Sequence, residues 1–268
     1  MSASADSKPP ELVTRIVTAA ALIAVALAAI MLGGTVFWIV VIGLAMLMMA
    51  EWADLVGARP PSKRLSLYAL VVPLAIMAPI AAGPGFLALG LIGAAFFFVG
   101  ATTRAGWLAG GIVYVAVPVL ALLLIRQQKD IGLLYTIWTL ALVWMCDIGA
   151  YFAGRLIGGP KLAPVVSPNK TWAGLFGGMA AATLFAVALH YWCGLGKTAL
   201  LATPFLALLA QGGDLFESWL KRRAGAKDSG TLFPGHGGVL DRLDGLVPVA
   251  PAAALLVVVL PKLVALLP

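Results

Sequence analysis

Charge is scarce in this chain. Only 11 % of its 268 residues are Asp, Glu, Lys or Arg, and 62 % are hydrophobic. Soluble domains carry about 25 % charge. A water-soluble core cannot absorb this much apolar side chain, so a soluble globular fold is excluded and the implied solvent is lipid. Cysteine and histidine are rarer still, with two of each. Cys146 and Cys193 lie in or beside apolar runs, show no CxxC or metal-ligand spacing, and read as two small buried thiols. His190 sits inside an apolar run and reads as a packed or interfacial residue. His236 has no zinc-like partner nearby. Strict apolar/polar alternation is missing from every apolar run, which argues against a membrane barrel. Because backbone polar groups in lipid must be paired internally, a helix bundle remains. The net charge is +7, but the basic residues sit at helix ends rather than in one long patch. That pattern reports orientation and attraction to anionic head groups, not nucleic acid.

What is present is a series of bilayer-length apolar runs. A spanning helix needs about 20 apolar residues, and about nine candidates fall near 13–32, 36–56, 65–82, 85–102, 106–125, 131–153, 172–193, 199–220 and 246–266. The expected fold is an all-α polytopic membrane bundle. A disordered polar tail over 1–12 precedes a single transmembrane domain over 13–268, comprising N-terminal helices (13–102) and catalytic helices (103–268). No small-residue cleavage site follows the first run, so it reads as a retained helix. With the N-terminus inside, fourteen of the eighteen Lys and Arg fall on inner segments; Arg126, Lys129, Lys197 and Lys262 are the outer four. This bias supports a cytoplasmic N-terminus and puts the polar loops 154–171 and 221–245 on one side. Gly106, Gly110, Gly111, Gly174, Gly177 and Gly178 read as close helix packing. Trp38, Trp52, Trp107, Trp138, Trp172 and Trp192 fall near helix ends and read as interfacial.

Five of the eleven acids (Asp214, Glu217, Asp228, Asp241 and Asp244) crowd into residues 211–245, with Lys221, Arg222, Arg223, Lys227, Arg242 and His236. At 100° per residue, Asp214, Glu217, Ser218, Lys221 and Arg222 share one helix face. A helix end with snorkelling cations fits this poorly, because the carboxylates lie deeper than the cations. Gly212 and Gly213 would let another backbone or a substrate come close. Four glycines and a proline over 230–238, including Gly237 and Gly238, give a loop able to turn backbone N–H groups toward an anion. Asp241 and Asp244 open the next apolar run, where Asp244 could instead serve as a helix cap. Two carboxylates from separate segments suit Mg²⁺. Acids beside cations suit phosphoryl chemistry.

A second polar stretch holds Asp147, Tyr151 and Arg155 on one helix face. Lys161 and Lys170 follow, then a Ser167-Pro168-Asn169 turn before a helix that Thr171 helps start. Glu51, beside Trp52, is the one acid that stands out in the N-terminal third, with interfacial, structural and catalytic roles all open.

The run Ser218-Trp219-Leu220-Lys221-Arg222-x4-Lys227-Asp228, then Pro234-Gly235-His236-Gly237-Gly238-x2-Asp241-Arg242-Leu243-Asp244, resembles the signature of phosphatidate cytidylyltransferases, also called CDP-diacylglycerol synthases. Asp147-x3-Tyr151-x2-Gly154-Arg155, with Lys161-Leu162-Ala163-Pro164 and Ser167-Pro168-x-Lys170-Thr171, is similar to the same family. The resemblance is firm over about 140–250; the first hundred residues share only hydropathy. The family often carries an acid where this chain has Ala173. The resemblance implies the reaction CTP plus phosphatidate to CDP-diacylglycerol plus diphosphate, in a bacterial inner membrane, with the site facing the cytoplasm. It implies Mg²⁺, with room for a second cation, held by Asp214, Asp241 and Asp244. Ser218, Lys221, Arg222, Lys227 and Asp228 would be catalytic. Asp147, Tyr151, Arg155, Lys161, Ser167, Lys170, His236, Gly237, Gly238 and Arg242 would bind substrate. A homodimer is what the family suggests; nothing in the sequence demands it. The alternatives are a CTP-dependent lipid kinase or a polyprenyl-phosphate sugar-phosphate transferase. An ion-coupled transporter is the alternative outside enzymes, although the paired broken helices of two related halves are not visible.

Overall fold

The computed structural model describes residues 23–230 and 237–264. The expected tail over 1–12, the first ten residues of the first apolar run, and His236 lie outside the described residues. Helix α1 covers Ile23–Leu32. It is followed by α2 (Gly34–Leu55), α3 (Pro60–Ile76), α4 (Phe86–Thr103), α5 (Gly106–Arg126) and α6 (Gly132–Leu156). A short hairpin, β1 (Lys161–Ala163) and β2 (Ser167–Thr171), leads into α7 (Trp172–Cys193) and α8 (Lys197–Arg223). A single helical turn, α9 (Leu240–Leu243), precedes α10 (Leu246–Ala254), which runs on through a π-helical turn (Leu255–Val259) into α11 (Leu260–Val264). Among the described residues, six helices are long and apolar enough to cross a membrane: α2, α4, α5, α6, α7 and α8.

The helices follow the apolar runs because lipid gives the backbone no other partner. Their ends follow local chemistry. The third run was expected at 65–82, but α3 begins at Pro60, since Pro is preorganised for the first helical turn and has no N–H to lose there. It stops at Ile76, before a succession of turns that ends at Gly83, whose φ is +74°. Thr171 caps α7 as expected, its hydroxyl accepting from Gly174 N at 3.0 Å. The all-helical expectation fails at the hairpin, where Ser167-Pro168-Asn169 is strand rather than turn; β1 and β2 pair antiparallel, with Lys161 opposite Thr171.

Small residues bring α6 and α7 together. A Cβ on Gly178 would stand 2.6 Å from Cys146 O, and one on Gly149 2.6 Å from Gly177 O, both closer than real atoms approach. Gly111 is pressed against the Trp52 indole in the same way, whereas Gly106 and Gly110 face open space and pack nothing. Two tryptophans expected at the interface are core residues. Trp52 and Trp138 are buried, and their indole N–H groups donate to Trp107 O at 2.8 Å and Thr203 Oγ1 at 3.0 Å. Cys146 is buried as expected, but Cys193 is exposed at the end of α7. The hairpin and the C-terminal ends of α2, α6 and α8 lie at the same end of the bundle, because contacts described below tie them together.

Candidate functional site

One group of charge forms around Lys170, the last residue of the hairpin but one. Its ammonium lies 2.5 Å from Asp214 Oδ2 on α8 and donates to Gln211 Oε1 at 2.9 Å. Gln211, one turn before Asp214, offers its Nε2 to Asp147 Oδ1 on α6 at 3.4 Å. Ser218, one turn after Asp214, donates to Asp214 Oδ1 at 3.3 Å. Asp244 joins this group from the chain after α9. Burial pushes its carboxyl up to about 7, and Asp214 and Asp147 add to that against the Gly245 amide and Lys170. Gly213 permits the approach: a Cβ there would run into the Asp244 carbonyl and the Pro248 ring. Three acids therefore share one described lysine, on oxygen donors only.

A second group forms around Lys221, two turns further along α8. Its ammonium lies 2.6 Å from both Glu217 Oε2 and Asp241 Oδ1. Asp241 Oδ2 accepts from Gly238 N at 2.8 Å and from Ser229 N and Oγ, both at 2.9 Å. Burial alone would raise the Asp241 carboxyl, but Glu217, Lys221 and the two amides outweigh it and hold it well below the usual carboxylate range. The stripe read along α8 therefore divides: Asp214 engages Lys170, and Lys221 engages Asp241.

The remaining candidates are placed more loosely. Tyr151 and Arg155 pair with each other, Nη1 to hydroxyl at 3.0 Å, on the exposed face of α6. Lys161 and Ser167 lie on the hairpin. Arg222, Lys227, Asp228 and Arg242 are exposed. Asp228 helps line a cleft of about 480 Å³ with Asp54, Trp107, Leu220, Arg223 and Ser229. Arg223 lies over the Trp107 ring at 4.7 Å and the Trp219 ring at 5.6 Å. Gly238 meets the Asp241 carboxylate with its own N–H, so that amide is already engaged within the loop; Gly237, at φ +76°, lies against the same carboxylate. Asp244 does not cap α10, whose N-cap is Gly245; its Oδ1 accepts from the Gly245 amide at 2.7 Å.

Three residues central to this geometry were given no site role from the sequence, although Glu217 was noticed on the charged face of α8. Gln211 is neutral and gives no charge signal. Glu217 is 1 % exposed, and among the described residues its carboxylate oxygens have no hydrogen-bond partner beyond the Lys221 ion pair. Ser229 is buried between two carboxylates.

Among the described residues, no three His, Cys, Asp or Glu side chains stand close enough together to hold an ion as they are placed. The donor chemistry nevertheless fits a hard cation: oxygen ligands only, an excess of acids over described lysines in the first group, and an Asp244 carboxyl that burial, with Asp214 and Asp147 nearby, pushes up to about 7.

A family model described as the cytidylyltransferase family matches residues 13–260. The chain belongs to the cytidylyltransferase family. The phosphatidate cytidylyltransferases of Brucella suis biovar 1 and Brucella melitensis biotype 1 are each 42 % identical to it over 258 residues, covering 91 % of both chains. That of Staphylococcus epidermidis is 42 % identical over 135 residues, about half of each chain. Membership of this cytidylyltransferase family thus extends well into the first hundred residues, where the sequence alone offered only hydropathy. The chain is a nucleotidyltransferase.

Proposed function

We propose that this enzyme joins CTP to phosphatidate at the acid-lined end of the bundle, giving CDP-diacylglycerol and diphosphate. A phosphate oxygen of phosphatidate attacks the α-phosphorus of CTP, a new P–O bond forms, and the α–β anhydride bond breaks as diphosphate leaves. Phosphatidate is a phosphate monoester and already a nucleophile near neutral pH, so no strong general base is needed. The barrier lies in bringing two anions together. Lys170 and Lys221, each beside an acid, are placed to exchange that partner for substrate phosphate. Arg222 and Lys227, exposed at the same end, add positive charge for the triphosphate.

Asp214 and Asp244, with Asp241 in exchange for Lys221, would hold Mg²⁺. Bound there, Mg²⁺ would neutralise charge on the phosphates and the departing diphosphate. Ser218 orients Asp214, and Gln211 keeps Lys170 between Asp147 and Asp214. The observation that carries the reading is the meeting of Asp147, Lys170, Asp214 and Asp244 from four separate segments beside the signature loop. The same arrangement supports a finer topology: nine passes, an N-terminus in the cytoplasm, and a site facing the cytoplasm from a bacterial inner membrane. The lysine and arginine bias and the shared end of the hairpin and loop both fit it.

The test is a positional label. Purified protein given phosphatidate, Mg²⁺ and CTP labelled at the α-phosphorus is expected to place label in lipid, and CTP labelled at the γ-phosphorus to place none. Label in lipid only from γ-labelled CTP would convert the reading to a lipid kinase.

A further inference from the structure

Glu51 belongs to α2, among the N-terminal helices to which the reaction assigns no role. It is 8 % exposed. A carboxylate in such a place is costly unless donors surround it. Its donors come from the signature loop, across a sequence separation of 178 residues or more. Oε1 accepts from Val239 N at 2.9 Å; Oε2 accepts from Leu240 N at 2.9 Å and from Ser229 Oγ at 3.1 Å. Val239 and Leu240 begin the single turn α9, whose own N-cap residue supplies no side-chain acceptor. Glu51 supplies it from another helix.

The two described ends of the loop close on this carboxylate. A Cβ on Gly230 would stand 2.6 Å from Glu51 Oε1, and one on Gly238 2.5 Å from Oε2. At Gly238 the Ser229 hydroxyl would be closer still, so a side chain at either position would push on the Glu51 carboxylate and its partners. Ser229 joins the two halves of the arrangement: its hydroxyl lies between Glu51 and Asp241, with one proton to offer either, while its amide holds Asp241. The Glu51 end is the rigid one. The adjacent Trp52 is wedged against Tyr114 and Phe216 at ring separations of 4.6 and 6.5 Å, and its N–H is tied to Trp107 O.

We propose that Glu51 is a positioning residue of the transfer reaction. It clamps the backbone at Val239 and Leu240 and the hydroxyl of Ser229, so that the loop presents Asp241 beside Lys221. The kinetic consequence rests on the function proposed above; the structural consequence does not.

The experiment uses the full chain in detergent with Glu51→Gln, which keeps the shape but turns one acceptor oxygen into a donor facing N–H or O–H. Hydrogen exchange at the Val239 and Leu240 amides is expected to accelerate at least about tenfold, the loss of one net hydrogen bond. Unchanged protection overturns the proposal whether or not the protein transfers cytidylyl groups. In the CTP and phosphatidate assay, kcat is expected to fall about 10- to 100-fold, as for a displaced reacting group, with KM for phosphatidate unchanged. A purely structural Glu51 would instead lower the yield of folded protein and leave kcat per folded molecule at the wild-type value, which also overturns the proposal. Lys63→Ala, which removes the surface partner of Asp54 one turn along from Glu51, is the control expected to change neither reading. Should Glu51→Gln not fold, Ser229→Ala carries the test. It removes the shared hydroxyl, is expected to lower kcat in the same pattern, and contradicts the proposal if kcat and loop exchange both stay at wild-type values.

Discussion

The acids around Lys170 and the acids around Lys221 differ in how completely they are neutralised. Asp147, Asp214 and Asp244 share one described lysine as their cation, with Gln211, Ser218 and the Gly245 amide as neutral donors, and burial, helped by the neighbouring acids, pushes the Asp244 carboxyl up to about 7. Asp241 is met by two amides, by a hydroxyl that it shares with Glu51 and by a lysine that it shares with Glu217, and its carboxyl is held low. One region is short of positive charge; the other is a joint that fixes a loop. Both lie on α8, two turns apart, so a single helix carries the part that would meet cation and substrate and the part that holds the loop in place.

Four changes separate these regions, in decreasing order of expected effect. Asp214→Asn removes a charge from the under-neutralised group, and turnover is expected to fall on the order of 10²- to 10³-fold while membrane insertion and thermal unfolding stay normal. Lys221→Met strikes the joint instead. It strands Glu217 and Asp241 without their cation, and breaking a buried pair in this way costs about 3–5 kcal/mol, to be read as earlier unfolding in detergent together with lost activity. Gly213→Ala presses a methyl group on the Asp244 carbonyl and Pro248, neither of which can swing away. Overpacking of this kind costs about 1–3 kcal/mol, and a fall in activity larger than the fall in stability would place Asp244 in the chemistry. Lys63→Ala removes an exposed pair with Asp54, a contact worth at most about 1 kcal/mol, and is expected to leave both regions unchanged.

Acid should also distinguish the regions. A carboxyl whose folded value lies below its unfolded one stabilises the fold fully above the ordinary carboxylate value, about 3.9, and loses that contribution as pH falls toward the folded value. For Asp241 this predicts that protection of the Ser229 and Gly238 amides, corrected for intrinsic exchange, is flat from about pH 5 upward and declines only below about pH 4. A decline already complete at pH 5 would mean that Asp241 is not held as described.

Much of the bundle could be read from hydropathy, because lipid leaves an apolar run of bilayer length one main option. The signature loop could be read because acids crowd there in a chain that has few. What stayed hidden had no local signal. The hairpin is too short to show a period. Trp52 and Trp138 lie where interfacial residues lie along a helix, and position along the axis says nothing of which face they occupy. Gln211 carries no charge. Glu51 was noticed as an unusual acid, but its role depends on backbone amides about 190 residues away, a relation that only the folded chain supplies.

The most direct test of the imbalance between the two regions is equilibrium binding of Mn²⁺, followed by its electron paramagnetic resonance signal, to purified wild-type and Asp214→Asn protein without substrate. If the acids gathered around Lys170 are short of a cation, the wild-type protein binds the ion and the variant loses most of that binding while remaining folded. Equal binding by the two proteins would contradict it.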